Sequence, residues 1–165
     1  MVVGDLTRKR QATAGCRGKH TERISRWGCW LHRLAREPSI DDIPEDRPLS
    51  DVERSLVAWM LEHGEPHASS FLPQLKQARV SSRCRCGCAS INFSVAGKEP
   101  PTTEMDVRSD YLWDDAEGHK FGAFVFAHGG LLAGLDLWSV DGAVTPTWIP
   151  RPDQLRPMPL SHNEV

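Results

Sequence analysis

The 165-residue chain lacks any apolar run near the roughly 18 residues that a membrane helix needs, so a membrane span is not expected. It has no heptad pattern and no repeat of about 20–50 residues, which excludes coiled coils and solenoids. No apolar stretch followed by a small-residue cleavage site marks a secretory signal. A phosphate-binding Gly loop, a Gly-x-Ser-x-Gly elbow, a kinase signature and an HExxH pair are all missing. An even set of cysteines is missing too. Five are present, which argues against a disulfide framework and for a reducing, cytoplasmic setting.

The formal net charge of -2 is a cancellation. Residues 1–36 carry nine Lys/Arg against Asp5 and Glu22, while the rest of the chain carries 11 against 20 acids. The basic segment has no core-forming pattern and reads as a leader without a fold of its own. A transit peptide or a nucleic-acid arm is the functional alternative for it. Residues 37–46 combine Pro38 and Pro44 with Asp41, Asp42, Glu45 and Asp46, and read as an acidic linker. A domain is expected at 47–150, followed by a Pro-rich tail at 151–165. Its acidic surface repels nucleic acid and suits another protein with a basic surface.

Ser50-Asp51-Val52-Glu53 is a capping box, and Asp51 and Glu53 suit the positive end of a helix dipole. Val52, Leu56, Trp59 and Met60 follow at helical spacing, which predicts a helix over 51–63 ended by Gly64. Ser70 caps a second, short helix through Ala78, with Pro73 in its first turn. Strands are expected at 79–84, 89–96, 121–128 and 131–140. Gly129-Gly130 between the last two predicts a two-residue hairpin, since both glycines tolerate positive φ. Residues 97–118 read as irregular, and Thr147-Trp148-Ile149 as an edge strand. The fold class is therefore α+β: one or two N-terminal helices packed on a four- to five-stranded antiparallel sheet.

Chemistry concentrates in Ser82-Arg83-Cys84-Arg85-Cys86-Gly87-Cys88. On an extended chain, Cys84, Cys86 and Cys88 point to one face. Three thiolates on one face can hold a soft ion such as zinc or Cu(I). A fourth ligand would come from His63, His67, His119 or His128. The alternatives are small buried residues at a tight turn shaped by Gly87, and a reactive thiol favoured by Arg83 and Arg85. A second group, Asp110, Trp113, Asp114, Asp115 and Trp138, is the candidate interaction surface. Trp138 alternates against Leu137, so it is either exposed or part of a second core layer.

Arg47-Pro48-Leu49-Ser50, Leu61-Glu62-His63-Gly64, Phe71-Leu72-Pro73-Gln74-Leu75, the Arg-Cys-x-Cys-Gly-Cys motif and Gly134-Leu135-Asp136-Leu137-Trp138 together resemble a group of small bacterial domains. The resemblance spans 47–150, and its most distinctive element is the cysteine motif. The group has no assigned activity, so the resemblance implies no catalytic residue. The small, acidic domain is also similar in style to immunity proteins that neutralise toxins. The expected function is a non-enzymatic protein-interaction domain. A metal-binding module and a thiol-dependent redox protein are the alternatives.

Overall fold

The structure is a computed structural model, and it describes residues 42–158. The leader with Cys16 and Cys29, the linker through residue 41, and residues 159–165 lie outside the described residues.

The capping box forms as the sequence predicts. Ser50 Oγ accepts from the Glu53 amide at 3.3 Å, and the Ser50 amide donates to Glu53 Oε2 at 2.7 Å. Helix α1 then runs Asp51–Glu62. Its buried face holds Leu56, Val57, Met60 and Leu61, whereas Val52 in the first turn is 58% exposed. Gly64 follows the helix for a different reason from the one expected. It has no positive φ. A Cβ there would collide with the Arg108 carbonyl, so glycine is needed for close approach to the sheet. A 3-10 turn at Ala68–Phe71 leads into α2, Leu72–Leu75, with Pro73 near its start.

Seven strands follow the order β1-β2-β3-β6-β5-β4-β7 in one antiparallel sheet. They are β1 Ile43–Pro48, β2 Ala78–Arg83, β3 Ile91–Val95, β4 Met105–Asp114, β5 Lys120–His128, β6 Leu131–Ser139 and β7 Arg156–Pro157. The α+β class holds, but the sheet is wider than the four or five strands expected. Three strands account for the difference. Residues 43–46, read as linker, belong to edge strand β1, where Pro44 and Pro48 are tolerated. Arg47 ties this strand to α1 through two 2.8 Å bonds to the Glu53 carboxylate. The stretch 97–118, read as irregular, contains the ten-residue β4, which buries Ser109, Tyr111 and Trp113. A short β7 lies in the Pro-rich tail, while Thr147-Trp148-Ile149 forms no strand.

Residues 129 and 130 connect β5 to β6 with φ of 54° and 77°, the mirror-image turn that matches strand twist. Along β5, Phe121, Ala123, Val125 and Ala127 face the helices and join the main core, with Leu135 and Leu137 of β6. Phe124 and Phe126 point the other way and form a second cluster with Ala133, packed by Met105, Val107 and Trp138. Trp138 is thus part of a second core layer. Glycines make that layer possible. The Trp138 ring occupies the space where a Gly122 side chain would stand. A Cβ on Gly134 would lie 2.7 Å from both the Ile91 carbonyl and the Phe126 ring. Gly134→Ala is expected to cost about 1–3 kcal/mol from overpacking. Gly130→Ala, where nothing lies within 4 Å, should cost about 1 kcal/mol from backbone strain alone. Urea unfolding midpoints of the two variants test this order.

Candidate metal centre

The β2–β3 connection is the cysteine loop, and the Cys84 amide closes it by donating to the Ser90 carbonyl at 3.2 Å. The chain between them does not stay extended. Gly87 takes φ of 86° and turns it, so the three sulfurs converge around a turn rather than along a strand face. Cys84 Sγ lies 2.8 Å from Cys86 Sγ, which lies 3.0 Å from Cys88 Sγ. The backbone points into the cluster. The Cys86 and Cys88 amides donate to the sulfurs of Cys84 and Cys86, both at 3.4 Å. Cys84 is buried, Cys88 half-buried and Cys86 exposed, so a ligand can reach the cluster from solvent.

Ser90 anchors the far side of the loop. Its hydroxyl receives the Leu137 amide at 2.8 Å and the Cys88 thiol at 3.2 Å, and lies 2.5 Å from Asp136 Oδ1. The Ala89 amide adds a tie to the Pro146 carbonyl at 2.8 Å. Burial, reinforced by the Cys86 hydrogen bond, pushes the Cys88 thiol up to about 12. At neutral pH and without an ion, that sulfur is protonated and a poor nucleophile. This weighs against a reactive thiol at Cys88. Neither Ser90 nor Asp136 was legible as a site residue, because 46 positions separate them.

Among the described residues, no histidine joins the sulfur cluster. His63 Nδ1 pairs with the Trp59 carbonyl, His128 Nδ1 with the Thr103 carbonyl, and His67 precedes the 3-10 turn. His119 pairs with Asp115 at 2.7 Å. Asp115, Glu117 and His119 do come together in the β4–β5 turn. Their bonds explain this internally: Asp115 Oδ1 accepts the Glu117 and His119 amides at 3.0 and 2.8 Å. The Asp115 hydrogen bond raises the His119 pKa.

The five candidate interaction residues are not gathered on one surface. Trp113 has 0% exposure and stacks on Phe121, so it is core. Its burial follows from β4, whose alternation turns Ser109, Tyr111 and Trp113 inward. Trp138 packs on the second cluster. Asp114 accepts from Arg156 at 2.9 Å and Lys120 at 3.4 Å, and these cations hold its carboxyl below the ordinary range. Asp110 is directly across from Phe124 on the second face. Burial pushes its carboxyl up to about 6, against the Tyr111 amide, and Glu65 adds to the rise.

No protein-family model matches the chain, and neither a curated protein nor a solved structure does.

The Asp110 shift makes a stability prediction. Its folded value near 6 lies above the ordinary 3.8, so the folded state holds the proton more tightly. Stability from this group is therefore present below about pH 4 and is lost as pH rises through about 6. Asp110→Asn should leave stability at pH 4 nearly unchanged and raise it at pH 7 by about 1–2 kcal/mol, allowing for partial solvent screening. Thermal unfolding at the two pH values measures the difference.

Proposed function

We propose that the chain is a metal-binding module in which Cys84, Cys86 and Cys88 hold one soft ion. The observation that carries this reading is the gathering of three ligand sulfurs within 4.8 Å on one loop. Thiolates select Cu(I) and zinc over hard ions. A set of three suits trigonal Cu(I) directly, and leaves zinc a fourth position for water. Zinc–sulfur bonds of about 2.3 Å place tetrahedral sulfurs about 3.8 Å apart. The present separations of 2.8 and 3.0 Å must then open by less than about 1 Å. The exposed Cys86 and the freedom of Gly87 permit that opening.

The amide donors to sulfur favour the thiolate form, and Ser90 fixes the Cys88 side of the loop. The metal in turn displaces the thiol protons. Because the metal-free Cys88 sits at about 12, the ion competes with a tightly held proton there. Affinity should therefore rise with pH across the neutral range.

The reduced, chelator-stripped chain with Cys16 and Cys29 changed to Ser is the material for the test. Titration with zinc or Cu(I) should show one ion per chain and release of about two to three protons. Cys86→Ser removes an exposed sulfur and should weaken binding by at least about tenfold without changing the circular dichroism. Failure to take up either ion in stoichiometric amount, or uptake unchanged in Cys86→Ser, overturns the reading.

A further inference from the structure

The three sulfurs of the cysteine loop are not equivalent. Cys86 Sγ is the shared neighbour, 2.8 Å from Cys84 Sγ and 3.0 Å from Cys88 Sγ. It is also the exposed one, whereas Cys84 is buried and Cys88 half-buried. An oxidant from solvent therefore meets Cys86 first, and two further thiols stand behind it at reacting distance. The ends of the loop are fixed, by the Cys84 amide on the Ser90 carbonyl and by the Cys88 thiol on the Ser90 hydroxyl. Between them, Arg85, Cys86 and Gly87 are exposed, and Gly87 turns the chain at φ of 86°. The central sulfur can thus shift toward either neighbour while both neighbours stay in place.

We propose that Cys86 is a reversible thiol–disulfide site, oxidised by a low-molecular-weight disulfide and closed onto Cys84 or Cys88. The Cys86 sulfur gives its proton to solvent and attacks one sulfur of the small disulfide. A Cys86 mixed disulfide forms, and one small thiol leaves. Cys84 or Cys88 then gives up its proton and attacks the Cys86 sulfur, displacing the second small thiol. Two electrons pass from the loop to the small disulfide, which becomes two thiols. The product closes a very small ring across one intervening residue, and that strain keeps the bond easily reduced. Closure withdraws two of the three sulfurs proposed to hold the ion, so oxidation releases it. That consequence alone rests on the metal reading; the disulfide does not.

The test uses the reduced, metal-free full chain with Cys16→Ser and Cys29→Ser. Excess glutathione disulfide is the probe, and samples are quenched with an alkylating agent. The intact mass should show loss of two hydrogens, no retained glutathione and one alkylated thiol. Tandem mass spectrometry should place that thiol on Cys84 or Cys88, never on Cys86. Dithiothreitol should restore all three thiols. Cys86→Ser, with unchanged circular dichroism, should close a loop disulfide at least about tenfold more slowly. No disulfide, glutathione stably retained on Cys86, a Cys84–Cys88 disulfide in the parent, or parent-like closure in Cys86→Ser overturns the proposal. Zinc and Cu(I) uptake is measured separately on the reduced and oxidised chains, and should be lost on oxidation. A chain that closes the disulfide but takes up neither ion when reduced sinks the metal reading and leaves the disulfide standing. A chain that takes up an ion but forms no disulfide does the reverse.

Discussion

A seven-stranded antiparallel sheet has two faces to cover, and α1 and α2 cover one of them. That face buries the larger core, including Trp113, Phe93, Phe121 and Leu56. Among the described residues, the other face reduces its apolar exposure without a helix. It does so by laying its own aromatic rings flat. Phe126 rests where a Gly134 side chain would stand, and Trp138 does the same over Gly122. The two glycines are therefore packing residues, required by rings on neighbouring strands rather than by backbone conformation. What the rings do not fill becomes the groove beside the 99–104 segment.

Ser90 connects this face to the cysteine loop. Its side chain is almost fully buried, yet it meets an amide, a carboxylate and a thiol. Removing the hydroxyl would strand the Leu137 amide and release Cys88 from the β6 strand. Cys84 completes the link, since it belongs to the sulfur cluster and also lines the groove. The loop is thus fixed at both ends by sheet hydrogen bonds, while its middle, Arg85 to Gly87, stays exposed. Rigid ends with an accessible centre are what a ligand loop needs.

Features encoded locally were legible in the sequence. The capping box depends on residues three apart, and the Gly-Gly turn on two adjacent ones. The alternation of Leu135 and Leu137 against Asp136 also follows from strand geometry alone. Strand β4 was obscured for specific reasons. Asp106, Arg108 and Asp110 dilute its apolar content, and a register shift between Val107 and Ser109 breaks the period. Strand β1 was hidden because its prolines and acids match a linker. At a sheet edge those same residues block unwanted pairing. The spacing placed the three cysteines on one face of an extended chain, whereas they meet around the Gly87 turn. The Ser90–Asp136 contact was not, because nothing local pairs the β3 entry with β6.

The acidic balance of the domain also resolves unevenly. Glu45 pairs with Arg47 and Arg83, Asp46 with Arg79, and Asp114 with Lys120 and Arg156. These acids and bases lie mostly at the outer strands, where solvent screens each pair and its contribution is small. Asp42, Glu99, Glu104 and Asp136 instead lie together in the lining of the groove. Net charge alone describes a generally acidic domain; the fold divides its acids between ion pairs at the outer strands and the groove beside the buried rings of Phe124 and Phe126.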